Sequence, residues 1–174
     1  DVQERVRSEA QSVLRGRAPA PDDVDELRYT TQVVDEALRL YPPGHILVRS
    51  AAEPAELRNN PVPHGRIVVI SIWGIHHNPA VWVDPYRFDP DRFNVDEPGA
   101  GRGHHERYAH LPFGGGPRAC IGSHLAVTEL VIAVAAVVRA YRLRGLVNRP
   151  VLDPGLSLQP KGALPCRVEP LGSN

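Results

Sequence analysis

The sequence predicts a mainly α-helical fold with a small antiparallel β-sheet. Three observations predict it. Apolar residues recur at helical spacing in two segments near the N-terminus, a continuous apolar run from Leu130 to Val138 sits inside a further long helix, and short β-branched runs bounded by Pro and Gly lie between them. The chain has 174 residues, 42% of them hydrophobic, which suits one domain with a real core. A membrane span needs about 20 apolar residues, so the 130–138 run reads as part of a deeply buried helix.

Val2, Val6, Ala10, Val13 and Leu14 form the first helical stripe, ending near Gly16. After a proline-bearing loop, a second helix is expected from Asp22 or Asp23, where Asp23 and Glu26 make a variant capping box. Its stripe is Val24, Leu27, Thr31, Val34, Leu38 and Tyr41. Val33, Ala37 and Leu40 widen that stripe until the helix is apolar nearly all round, so it should be buried. Pro42-Pro43-Gly44 ends it. Ile46–Val48 and Ile67–Ile70 read as strands, with a turn over 61–65 between them. Residues 78–116, rich in Pro, Gly, His and Arg, are long irregular structure, which is uncommon unless functional. A long helix runs from about Ser123 to Tyr141, and the tail reads as short strands broken by prolines.

Twenty basic and twenty acidic side chains cancel, which argues against a nucleic-acid partner. Two isolated cysteines, Cys120 and Cys166, make neither a disulfide framework nor a zinc site, and fit a reducing, cytoplasmic location. No secretory signal is visible. The first residues are polar and helical in pattern and lack a Met, so the chain reads as the middle of a longer protein, with membrane attachment left open. The histidines lack metal-ligand spacing; His76, His77, His104, His105, His110 and His124 read as loop or surface residues.

The segment Phe113-Gly114-Gly115-Gly116-Pro117-Arg118-Ala119-Cys120-Ile121-Gly122 carries the chemistry. Three glycines permit turns closed to other residues and close approach of a flat ligand. The cysteine precedes a long helix, whose N-terminal N–H groups and partial positive charge favour an anionic sulfur. Arg118 is placed to neutralise an anionic ligand group, and Phe113 to shield the sulfur from water. A thiolate held this way is a good axial ligand for haem iron and donates electron density that favours O–O cleavage. A buried structural cysteine after a glycine turn is the bland alternative. A nucleophilic cysteine with His124 as base is another.

The complete pattern Phe-x-x-Gly-x-Arg-x-Cys-x-Gly resembles the haem-binding signature of the cytochrome P450 family. Glu36-Ala37-Leu38-Arg39 places opposite charges three residues apart in an apolar helix, where they must be paired. The resemblance implies that Arg92, in Phe88-Asp89-Pro90-Asp91-Arg92-Phe93, completes a Glu36–Arg39–Arg92 network that fixes the cysteine loop. It also implies Cys120 as the iron ligand of a haem b, and Arg118 and Arg49 against the propionates. Phe113, Ile121, Gly122 and Ala126 would lie around the haem. The segments Pro43, Gly44, His45, Ile46, Leu47 and Gly155, Leu156 would line a pocket for a small apolar organic substrate. The parent enzyme would insert one oxygen atom from O2, using two electrons from a ferredoxin or flavoprotein reductase. A basic stretch, Arg102, His104, His105 and Arg107, could receive that acidic partner.

The resemblance covers nearly the whole chain in the right order, yet family members are typically more than twice this length. It therefore implies that residues 1–174 are the C-terminal, haem-binding part of a single larger domain. The distal helix and most of the pocket would precede Asp1, and this chain alone would not be catalytically competent. Two rivals stand beside the monooxygenase. One is a non-catalytic haem-binding fragment. The other is a haem-thiolate isomerase or dehydratase that needs no electron donor. The uninterrupted cysteine loop favours the monooxygenase.

Overall fold

A computed structural model of the chain describes residues 1–94, 108–147 and 150–172. Helix α1, Val2–Leu14, starts on Asp1, whose carboxylate accepts from the Gln3 amide, and ends through Arg15 and Gly16, both at positive φ. The expected helix from Asp22 or Asp23 does not form there. Pro21–Asp23 is one 3₁₀ turn, and helix α2 spans Arg28–Leu40. The reason is that the Asp23 carboxylate is taken by Arg17 and by the Ala20 amide, 2.8 Å away. Helix α2 is instead capped from a distance. Glu9 of α1 accepts from the amides of Tyr29 (2.6 Å) and Thr30 (2.8 Å) and from the Thr30 hydroxyl (2.7 Å). A carboxylate against helix N-terminal amides is a charge-assisted contact that also suits the helix dipole.

Strand β1, Ile46–Ser50, pairs antiparallel with β4, Ile67–Ser71, with Val48 opposite Val69. Between them β2, Ala55–Leu57, and β3, Asn60–Val62, form a hairpin that turns through Arg58 and Asn59, both at positive φ. A short helix α3, Ile72–His76, lies within a stretch that the sequence pattern leaves unassigned, and the Ser71 hydroxyl caps it by accepting from the Gly74 amide at 3.0 Å. Helix α4, Ser123–Ala140, runs directly into β5, Tyr141–Gly145. Strand β5 pairs with β8, Cys166–Pro170, and β6, Leu152–Pro154, pairs with β7, Leu158–Pro160. The single small sheet expected from the sequence is thus a set of two-stranded antiparallel ladders among the described residues.

The main core joins Ala10 and Leu14 of α1, Leu27, Val34 and Leu38 around α2, and Val131 and Ala135 of α4. A second cluster of Val6, Tyr29 and Val138 extends it. The expectation that α4 is deeply buried is corrected. Only Val131, Ala135 and Val138 are buried, while Leu125, Leu130 and Val137 are exposed, because α1 and α2 pack against one side of it. A third cluster, Trp82, Phe93 and Ala109, lies beside the 3₁₀ turn Pro90–Phe93, which packs on α2.

Candidate functional site

Helix α2 carries two charges into the interior. Glu36 and Arg39 are fully buried and meet edge to edge: Arg39 Nε donates to Glu36 Oε2 at 2.7 Å, and Nη2 donates to Oε1 at 2.9 Å. The rest of the guanidinium donates to the carbonyls of His76 (2.7 Å), Pro85 (2.8 Å) and Arg87 (3.3 Å). Glu36 Oε1 also accepts from the Asp89 amide at 2.8 Å and faces Arg92 Nε at 3.4 Å. Arg92 in turn donates to the Asp84 carbonyl at 3.0 Å. Arg39 further lies 5.0 Å from the centroid of the buried Trp82 ring, a cation–π distance. The structure therefore brings Glu36, Arg39 and Arg92 together and uses them to tie α2 to α3 and to residues 84–92.

The sequence pattern missed His76. It reads as a surface histidine, yet its side chain is fully buried, as His77 and His45 nearly are. His76 Nδ1 lies 3.0 Å from the Arg39 carbonyl, and the Leu111 amide lies 2.8 Å from its Nε2. A carbonyl only accepts and an amide N–H only donates, so Nδ1 carries the proton and Nε2 is bare. Burial pushes the His76 pKa down to about 4, with the nearby Arg39 and His77 acting in the same direction, so the ring is neutral at pH 7. His77 stacks on Trp73 with centroids 4.1 Å apart, and the same burial lowers its pKa. No periodicity marks His76, which is placed by a short helix and by partners far away in sequence, whereas His77 rests on Trp73, four residues back.

From Leu111 the chain enters the cysteine turn. Gly114 donates to the Leu111 carbonyl (3.0 Å), and Cys120 donates to the Phe113 carbonyl (2.9 Å). Gly114 and Gly116 sit at φ 74° and 72°, the left-handed region that glycine enters without strain. Gly116–Arg118 is one 3₁₀ turn, and α4 follows from Ser123, with Gly122 as its first flanking residue. The loop is anchored on the inside by Phe113, which packs against the main core. Cys120 is exposed.

Of the other candidate residues, Leu47 reaches the loop: its Cδ1 lies 3.5 Å from where a Cβ on Gly114 would stand. The Leu158 amide donates to the Pro43 carbonyl at 2.9 Å, which brings the tail turn holding Gly155 and Leu156 beside the segment 43–47. Pro43, Gly44 and Ile46 are exposed, whereas His45 is buried. Ala126 is half-buried in the first turn of α4. Arg49 and Arg118 are exposed, and Arg49 donates to its neighbour's carbonyl, that of Val48, at 2.9 Å. Arg102, His104, His105 and Arg107 lie outside the described residues. Among the described residues, no three His, Cys, Asp or Glu side chains gather as a metal cluster.

An exposed thiol on a glycine turn, tied back to a buried Glu-x-x-Arg helix, is the arrangement expected of one family, and the sequence profile of cytochrome P450 matches residues 1–167. The chain belongs to the cytochrome P450 family. Leukotriene-B4 omega-hydroxylase 3 of Mus musculus is 38% identical over 99% of this chain and 33% of its own length. Cyclooctat-9-en-7-ol 5-monooxygenase of Streptomyces melanosporofaciens is 41% identical over 98% of this chain and 36% of its own length. Protein LUTEIN DEFICIENT 5, chloroplastic, of Arabidopsis thaliana is 36% identical over 80% of this chain. The chain thus spans about a third of the length of the first two relatives.

Membership in the cytochrome P450 family implies a haem cofactor, and the residues present fit one. The candidate donor, the Cys120 thiol, is exposed. The backbone beside it is glycine, with open space where a Cβ on Gly116 would stand. Ile121 is 103% exposed and Leu125 is 62% exposed, so apolar side chains next to the thiol are accessible to a flat apolar ring. Two exposed guanidiniums, Arg49 and Arg118, are of the right charge for carboxylates.

Proposed function

We propose that residues 1–174 form the C-terminal, haem b-binding part of a P450 monooxygenase, with Cys120 as the iron ligand. The observation that carries the reading is the exposure of Cys120 on a glycine turn whose backbone is held by its own hydrogen bonds. When bound, the haem supplies the activation of O2 and the insertion of one oxygen atom into a small apolar organic substrate. The residues of this chain would hold the cofactor and line part of the substrate side. Cys120 offers its sulfur from a fixed position, because its own amide is spent on the Phe113 carbonyl. Phe113 keeps water from one side of the turn. Arg118 and Arg49 hold the propionates, and Ile121, Gly122 and Ala126 pack on the proximal face. Pro43 to Leu47, with Gly155 and Leu156, line the substrate side.

The names of the relatives support oxygenation over isomerisation or dehydration, since they are a hydroxylase and a monooxygenase. Oxygenation of this kind requires two electrons from a partner, a ferredoxin or a flavoprotein reductase. Helix α4 is long and apolar enough to cross a bilayer by length and composition. We read it as a helix of the fold, because Val131, Ala135 and Val138 are buried against α1 and α2, and propose a cytoplasmic location with that reading.

The test is the absorption spectrum of the haem-reconstituted, reduced chain with carbon monoxide, beside Cys120→Ser. A strongly red-shifted Soret band, absent from the variant, is the expected result. A haem that binds equally well and absorbs identically in both proteins would overturn Cys120 as ligand.

A further inference from the structure

Among the described residues, the imidazole of His76 links the helix of the buried ion pair to the cysteine turn. We infer that His76 is a positioning residue that sets the Cys120 turn by accepting the Leu111 amide while its other nitrogen is anchored on the Arg39 carbonyl. The inference rests on the reading of Cys120 as haem ligand and adds a residue to it that no motif marks.

The hydrogen bonds form a continuous chain. The Arg39 carbonyl accepts from His76 Nδ1 at 3.0 Å, and His76 Nε2 accepts from the Leu111 amide at 2.8 Å. The Leu111 carbonyl accepts from Gly114, and the Phe113 carbonyl accepts from Cys120. Each link is a backbone group or the buried imidazole of His76. The position of His76 is itself fixed twice over, since Arg39 Nη1 donates to its carbonyl at 2.7 Å. Arg39 therefore holds both ends of the residue that holds the turn. The ring also lies beside His110, with centroids 5.3 Å apart, which limits rotation about its side-chain bonds. An imidazolium would present two donors and could not accept from Leu111, so the link exists only for the neutral ring protonated at Nδ1.

Two amide substitutions separate the two bonds. His76→Gln places an acceptor where Nε2 stood and gives up the Arg39 bond. His76→Asn places a donor where Nδ1 stood and leaves the Leu111 amide unpaired. Amide hydrogen exchange of the full chain reads the link without haem. Exchange at Leu111 and Gly114 should be about tenfold faster in His76→Asn, the change expected from loss of one ordinary hydrogen bond, and nearly unchanged in His76→Gln. The carbon monoxide spectrum of the reconstituted chain reads the consequence at the sulfur. The red-shifted fraction should drop in His76→Asn and be retained in His76→Gln at matched urea midpoint. Equal behaviour of the two variants in both measurements would overturn the inference and leave His76 a packing residue. Should His76→Asn fail to fold, the nitrogen chemical shifts of His76 in the unaltered chain decide: a proton on Nδ1 with a bare Nε2 supports the inference, and the opposite tautomer refutes it. An unaltered chain that binds haem without the red-shifted band would sink the ligand reading alone, and exchange at Leu111 would still decide the role of His76.

Discussion

The neighbourhood of Glu36 and Arg39 and the neighbourhood of Cys120 are built on opposite principles. In the first, two charges have no contact with water and every hydrogen-bonding edge of the guanidinium is used. In the second, the candidate ligand Cys120, the adjacent Ile121 and both candidate anion-binding arginines stand exposed, while backbone hydrogen bonds and the packing of Phe113 hold the turn. Hydrogen bonds are thus concentrated around the buried pair, whereas the residues proposed to meet the cofactor are mostly exposed. Substitutions should divide the same way.

The largest effect is expected at the ion pair. Glu36→Gln leaves Arg39 with an uncompensated buried charge and should cost about 3–5 kcal/mol. Urea denaturation checks this. A loss under about 1 kcal/mol would mean that water reaches the pair and that the contrast between the two regions is weaker than the burial implies.

Next comes pH. The His76 pKa is about 4 when folded and near 6.5 when unfolded. Between those values the unfolded state binds a proton that the folded state refuses, so stability rises with pH across that window. Acidification from pH 6.5 to 4 should therefore remove about 3 kcal/mol, levelling off below that. The groups facing the ring are Arg39, His77 and His110, of which Arg39 and His77 disfavour its protonation. Carboxylates also titrate in this range, so the measured quantity is the difference in slope between the unaltered chain and His76→Gln. Identical slopes would show that His76 titrates normally.

Much of this was legible from the sequence, and what was not has physical causes. The stripes of α1 and the extent of α4 follow from residues three and four apart, which sequence displays directly. The cysteine turn follows from glycines and a cysteine within ten positions. The start of α2 was not legible, because its cap is Glu9, some twenty residues upstream, and because Asp23 is diverted to Arg17. His76 was not legible either, since its partners are the carbonyl of Arg39 and the amide of Leu111, and backbone groups leave no mark in sequence. The one-sided packing of α4 escaped for a related reason: an apolar run reports that burial is favourable, not which neighbours supply it.

A smaller effect is expected at the hinge between the two regions. Gly114 sits at φ 74°, and the nearest atom to an added Cβ, Leu47 Cδ1, lies at an ordinary 3.5 Å. Gly114→Ala should thus cost backbone strain alone, about 1–2 kcal/mol. Gly44→Ala is its control: φ lies outside the left-handed region and nothing is within 4 Å, so the change should be neutral or slightly stabilising. Equal costs at the two glycines would mean that the turn relaxes around the new methyl.

The smallest effect on stability is expected at Arg118, and it sharpens the comparison most. The side chain is exposed and makes no hydrogen bond or ion pair with a described residue. Arg118→Ala should then stay within about 0.5 kcal/mol by urea denaturation, the usual range for a surface position. Haem retention should fall nonetheless, because an exposed guanidinium with no partner among the described residues is available to a carboxylate, and charge-assisted hydrogen bonds are among the stronger ones. Haem dissociation, followed by transfer to an excess of a second haem-binding protein, measures this at constant fold stability. Faster loss with an unchanged urea midpoint would separate holding the cofactor from holding the fold. An equal drop in both would mean that Arg118 serves the turn itself, and that the cysteine region is less independent of the buried network than its exposure suggests.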